Sequence, residues 1–282
     1  MLNWFRNIRW RLIFIAILGI GSLIGVIFLM IRVDKQDQNQ LCTDLNIFIE
    51  GKESFIDQDD ISSLIALKYG RIVGRELNLI KTQEIEKSLK ALPYVAEASV
   101  HLDMSGEMRI NLTQREVVMR VVNRLGTEYY LDQKGLKVPT TLKYVPRVLI
   151  ASGNIAEGYK EPLEAMDSKL LKDLFQVVNY INNDELWSNQ VVQIYVNQND
   201  DIELVPRIGD QQLIIGTADS LDQKFELLQV FYKNIMPKVG IEAYEKVNVK
   251  YAGQIICEKR GDWSFDGMQK SAANKEEEIK VL

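Results

Sequence analysis

Histidine is almost missing: 282 residues contain one, His101, set between Val100 and Leu102 with no E-x-x-H partner. Imidazole metal sites and histidine bases draw on clusters, so an isolated histidine on a predicted strand reads as a solvent-facing residue. Cysteine is nearly missing as well. Cys42 and Cys257 offer neither metal-site spacing nor a dense disulfide framework. One bridge between them fits an oxidising compartment; two separate thiols are the plainer reading. Excess positive charge is also lacking, because 34 Lys and Arg face 39 Asp and Glu for a net charge of −5. General nucleic-acid binding needs clustered cations and is disfavoured. No G-x-S-x-G, Walker A or dinucleotide fingerprint occurs, and Gly70-Arg71-Ile72-Val73-Gly74 lacks the lysine and preceding strand of a phosphate loop. Asp200-Asp201 falls in a predicted hairpin turn, where such residues are favoured for backbone reasons. Arg260-Gly261-Asp262 matches an adhesion tripeptide that chance produces. No catalytic, cofactor-binding or metal residue is assigned, and no cofactor is expected.

What is present begins with a long apolar run. Leu12 to Ile31 carries no charge, and twenty helical residues reach about 30 Å, the thickness of a bilayer core. A cleaved signal peptide has an apolar region of about 7–15 residues ending in small side chains. This run ends Phe28-Leu29-Met30-Ile31-Arg32, so a retained transmembrane helix is expected. Arg6, Arg9 and Arg11 precede it without an acid, whereas Arg32 and Lys35 are diluted by Asp34, Asp37 and Asp44. The positive-inside rule then keeps residues 1–11 cytoplasmic and sends the remainder across the membrane. Gly21 and Gly25 form a GxxxG pattern, common in membrane helices by chance.

Residues 32–44 read as a polar linker. Asn46 to Gly51 reads as a strand and turn. Asp57 caps a helix with Ile61, Leu64 and Ile65 on one face. Thr82 caps a second, with Ile85, Leu89 and Leu92, and Pro93 stops it. Strands at Val95 to Leu102 and Met108 to Thr113 complete a β-α-α-β-β order. Beyond 116, Tyr129 to Val138 forms a hairpin, and Val192, Ile194 and Val196 alternate along a strand. One long helix presents Leu170, Leu171, Leu174, Phe175, Val178 and Ile181. Another presents Leu221, Phe225, Leu228, Phe231, Tyr232 and Ile235 and ends before Pro237. Each has one apolar face to lay on a sheet. A last strand pair spans Lys246 to Lys259. The fold class is therefore α+β: an N-terminal transmembrane helix (12–31), a POTRA-like module (45–115), and a mixed β-sheet domain (116–260) with two long covering helices. Residues 261–282 are a polar tail, expected to be mobile.

Leu92-Pro93-Tyr94-Val95, Gln114-Arg115-Glu116, Tyr130-Leu131-Asp132-Gln133-Lys134-Gly135, Ile214-Ile215-Gly216 with Lys224-Phe225, and Val247-Asn248-Val249-Lys250-Tyr251 occur in that order behind a single anchor. In order and spacing they resemble the FtsQ/DivIB bacterial cell-division family over residues 1 to about 259. Val117 stands where the family often has proline, and Asn248-Val249 replace its usual Asp-Leu. The resemblance implies a non-enzymatic scaffold at the division site of the cytoplasmic membrane, binding FtsB-like and FtsL-like bitopic partners and other divisome components. It implies no nucleic acid and no small-molecule substrate. Binding in that family uses the late strands, and a terminal strand leaves N–H and C=O groups for β-augmentation. On that basis Val249, Lys250, Tyr251, Gly253 and Ile255 are the expected partner-binding residues, with Tyr251 as the aromatic anchor. Val249 and Ile255 would equally complete the core. A POTRA scaffold for envelope assembly or secretion is the alternative, and an anchored extracytoplasmic hydrolase a more distant one.

Overall fold

The structure, a computed structural model, describes residues 18–28, 40–103 and 105–261. Residues 18–28 are helical and exposed. The rest of the expected 12–31 span lies outside the described residues. Among those described, no helix is long and apolar enough to cross a membrane. The chain otherwise divides into two compact units, the first ending at Gln114 and the second starting at Arg115.

The first unit is β1 (Asp44–Glu50), α1 (Gln58–Tyr69), a 3₁₀ turn (Leu77–Leu79), α2 (Thr82–Lys90), β2 (Val95–Leu102) and β3 (Glu107–Gln114). Its sheet has the order β1-β3-β2, with β1 parallel and β2 antiparallel to β3. The central strand alternates strictly, burying Met108, Ile110 and Leu112 against Ile61 and Ile65 of α1 and Ile85 and Leu89 of α2. Strand period two and helix period 3.6 thus meet in one core. At the start of α1 the Asp57 carboxylate accepts from the Asp60 N–H at 2.9 Å, and Asp60 accepts from the Asp57 N–H at 3.0 Å. This capping box satisfies two donors that a helix start leaves over, and Asp59 and Asp60 complement its positive end. Asp57→Ala is expected to weaken α1 by about 1 kcal/mol, read as faster amide exchange along residues 58–69. Thr82 does not cap α2 as expected. Lys81 occupies the cap without a side-chain bond, and Thr82 is the first helical residue.

The second unit contains β4 (Val117–Val122), β5 (Glu128–Asp132), β6 (Lys137–Pro139), β7 (Leu149–Gly153), α3 (Lys169–Asn182), α4 (Glu185–Gln190), β8 (Val191–Val196), β9 (Ile202–Pro206) and β10 (Gln212–Gly216). Helix α5 (Leu221–Val230) follows and runs through a π-helical turn (Phe231–Ile235) into α6 (Met236–Val239); β11 (Tyr244–Asn248) and β12 (Ile256–Lys259) close it. One nine-stranded sheet has the order β12-β11-β10-β9-β8-β7-β4-β5-β6. Leu171, Leu174, Val178 and Ile181 of α3, with Phe225, Leu228 and Phe231, cover Met119, Val121, Ile194, Leu204, Leu213 and Val247 of the sheet. Ile150, Tyr195 and Val205 are exposed.

Two details differ from the periodic reading. Val192 is exposed and Val191 is buried, because the β8–β9 register shifts between Val191 and Gln193 and the inward set moves by one residue. Pro237 does not end the second long helix. It lies in the first turn of α6, directly after the π-helical turn, and the helical run continues to Val239.

Candidate partner-binding edge

The short motifs in the second unit turn out to fasten its strands. Arg115 is buried against Asp132, whose other carboxylate oxygen accepts from the N–H groups of Lys134 at 2.9 Å and Leu136 at 2.8 Å. The Gln114-Arg115-Glu116 run thereby locks the β5–β6 turn. Lys224, buried at the start of α5, donates to the Thr217 carbonyl at 2.9 Å and ties that helix to the end of β10.

A sheet has two edges, and here they are treated differently. At the β6 edge the chain closes on itself. The Lys137 N–H donates to the Glu164 carbonyl and the Leu163 N–H donates to the Lys137 carbonyl, both at 2.8 Å, while Leu136 bridges to Ala165. Pro139 contributes no N–H there. Beneath this seal the Lys137 ammonium, 2% exposed, meets Glu157 at 2.9 Å and Glu164 at 3.0 Å and donates to the Gly158 carbonyl at 3.0 Å. Glu157 also accepts from the N–H groups of Asp167 at 2.9 Å and Ser168 at 2.8 Å. Burial alone would raise the Glu157 pKa, but these bonds outweigh it and hold the carboxyl down at about 2.

The β12 edge differs. β12 pairs antiparallel with β11 on one side, and no strand among the described residues lies on the other. It is short and carries Glu258, which pairs across to Lys246 at 2.9 Å. Short, charged edges resist indiscriminate pairing while still accepting a matched strand. The first unit's outer strands are each capped by a side chain: Gln58 donates to the Ile47 carbonyl at 2.8 Å, and Glu86 accepts from the Val100 N–H at 3.2 Å.

The expected binding residues distribute around this edge. Val249 is fully buried, and its N–H donates to the Ile214 carbonyl at 2.9 Å. It extends the core and presents no side chain outward. Lys250 pairs with Asp201 at 2.9 Å and lies over the Tyr251 ring at 5.3 Å. Tyr251 is half exposed at the start of the β11–β12 turn, where its carbonyl accepts from the Gln254 N–H at 3.2 Å. Gly253 is the third residue of that turn with φ of 68°, a value only glycine adopts cheaply, and nothing crowds the place of a β-carbon. Ile255 is half-buried against the main core. The strand itself starts one residue later, so Ile256 and Glu258, both exposed, are edge residues the sequence pattern did not single out. The short span Ile256–Lys259 ends where the sequence places it but has too little alternation to mark where it starts.

Elsewhere His101 is exposed on β2. Both cysteines are free thiols, each with its pKa raised by burial. Asp200 accepts from the Asn154 side chain at 2.9 Å, and Asp201 is taken by Lys250. No group of three His, Cys, Asp or Glu among the described residues could hold a metal ion.

Residues 40–113 match a POTRA-like domain, and residues 116–258 match the family described as FtsQ/DivIB, C-terminal related. No curated protein matches the chain. The second match takes in half of the whole length and almost all of the nine-stranded sheet: the chain belongs to the FtsQ/DivIB family.

Proposed function

We propose that this protein is a non-enzymatic scaffold of the bacterial division complex, held in the cytoplasmic membrane by the apolar segment at 12–31. It takes FtsB-like and FtsL-like partners as an added strand along β12, with Tyr251 receiving an apolar side chain beside the turn. Family membership supports the cell-division role. The contrast between the two edges of one sheet supports the binding mode: β6 is sealed by Leu163 to Ala165, whereas β12 pairs with β11 and no further strand lies beside it among the described residues. A partner strand gains main-chain hydrogen bonds there and is selected by alternate side chains. Lys250 is held by Asp201 against the Tyr251 ring, so the ring is pre-positioned and loses little freedom on binding.

A fluorescent fusion of the full chain, imaged in dividing cells, should concentrate at the division site. Uniform membrane signal through the division cycle would count against the scaffold reading.

A further inference from the structure

The first unit has two chemically different ends. At the end where the chain enters, residues 40–42 run beside residues 74–77. The Leu77 N–H donates to the Gln40 carbonyl at 2.9 Å, the Cys42 N–H to the Arg75 carbonyl at 2.8 Å, and the Gly74 N–H to the Cys42 carbonyl at 2.7 Å. These bonds hold Leu41, 49% exposed, and Leu79, 61% exposed, on neighbouring segments, and Leu67, 92% exposed, lies in the last turn of α1 just before them. Phe48 on β1 is the one other large apolar side chain exposed among the unit's described residues. Arg71 and Arg75 belong to the same loop, and Lys68 precedes it. Arg109 takes Asp103 and Glu107, and Lys81 takes Glu84, which leaves Asp44 and Glu76 as the local acids outside the ion pairs. The far end is marked by the Ile56 N–H donating to the Gln114 side chain. There Glu50, Glu53, Asp57, Asp59 and Asp60 gather against Lys52 and Lys90, with no large apolar side chain exposed.

We propose that the entry end of the first unit docks on the surface of an anionic bilayer, laying Leu41, Leu67 and Leu79 among the headgroups with Lys68, Arg71 and Arg75 on the lipid phosphates. The inference rests on the anchor at 12–31 and deepens that reading. Chain length supports it. Nine Cα-to-Cα steps separate Ile31, the last residue of the apolar run, from Gln40, the first residue bonded into the unit. Fully extended they reach at most about 32 Å, of which the headgroup layer takes about 5–8 Å. The entry end is therefore confined close to the bilayer, whatever path the intervening residues take. Within the run itself, every large apolar side chain of the helix at 18–28 is exposed, and they lie on all its sides. A helix apolar all round needs apolar surroundings.

The chemistry agrees. Exposed leucines flanked by arginine and lysine suit a headgroup layer, which takes apolar side chains inward and offers phosphate to the cations. The acids of the far end would be repelled by the same surface, so the docked orientation is the one that turns them to water. Tethering raises the effective concentration of the patch at the bilayer, so even a weak surface contact is populated. Docking fixes which end of the unit faces the lipid, and it holds whether or not β12 accepts a strand.

The test uses the full chain in vesicles of phosphatidylcholine and phosphatidylglycerol doped with a phospholipid that carries a photoreactive headgroup. Resistance to alkaline extraction first shows that the anchor has inserted. Lipid adducts mapped by mass spectrometry are expected on residues 67–79 at least about fivefold more often than on residues 50–60. Leu41→Glu/Leu67→Glu/Leu79→Glu changes three exposed positions and should bring the two regions level. Vesicles of phosphatidylcholine alone should lower the labelling of 67–79 about threefold. Equal labelling of the two regions in wild type, or an unchanged pattern in the triple variant, would overturn the docking and leave the anchor standing. Labelling indifferent to phosphatidylglycerol would overturn the phosphate contacts. Release of the chain by alkali would overturn the anchor and the docking together.

Discussion

Ile256→Pro in β12 is expected to abolish capture of the FtsB-like and FtsL-like partners while leaving the second unit folded. Proline removes one N–H from the strand and fixes φ, so the edge can no longer present a regular row of donors and acceptors. The core is insulated from the change. β12 is the outermost of nine strands among the described residues, and the side chain replaced is 43% exposed. Tyr251→Ala should act at the side-chain level instead of the backbone, since an aromatic anchor at an interface centre is worth at least about 2 kcal/mol, or roughly 30-fold in Kd. Val249→Ala serves as a contrast. Val249 is in the core, so its truncation should cost stability before it costs affinity. The measurement is co-purification of partners with tagged full-length chain, beside a thermal unfolding curve for each variant. Full capture by both Ile256→Pro and Tyr251→Ala would remove β12 as the docking edge.

How much of this was legible beforehand depended on the range of the interactions. Local signals served well: Asp57 does cap α1, β2 spans the predicted residues, and the apolar faces at Leu171 to Ile181 and at Phe225 to Phe231 do cover a sheet. Local signals failed where a neighbour decides the outcome. The bulge that turns Val192 outward is set by β9, and periodicity within β8 alone cannot register it. Strands β4 and β7 pair in parallel across more than twenty-five residues of intervening chain, and nothing in either segment names its partner. The binding residues show the same division. Gly253 and Tyr251 were visible as a turn and an aromatic, and the last strand pair was expected to end at Lys259, as it does; only the start of β12 at Ile256 needed β11 beside it. The seal on β6 left one trace that could have been read. Lys137 interrupts an apolar pair, Leu136 and Val138, and a lysine placed inward on a strand demands a buried acid.

The acid that answers Lys137, Glu157 with its side chain 12% exposed, gives the second large effect. Glu157→Ala is expected to destabilise the second unit by about 3 kcal/mol or more, because it strips a partner from a buried cation. It also removes the acceptor of the part-buried Ser168 N–H at the entrance to α3. Lys137→Met in the same background should recover part of the loss, since an apolar side chain of similar length no longer needs the charge. The same carboxylate sets an acid limit. Its pKa lies at about 2 in the folded chain against 4.5 for a free glutamate, so its contribution is complete above pH 4.5. It fades as pH falls through that window and is gone below about 2. At roughly 1.4 kcal/mol per unit the interval corresponds to about 3 kcal/mol, the same size as the truncation. Glu157→Gln keeps the shape and loses the charge. Its stability should therefore fall less steeply than wild type between pH 4.5 and 2, as followed by urea unfolding with near-ultraviolet circular dichroism. Parallel wild-type and Glu157→Gln curves across that interval would show that the charge on Glu157 does not hold the β6 edge closed.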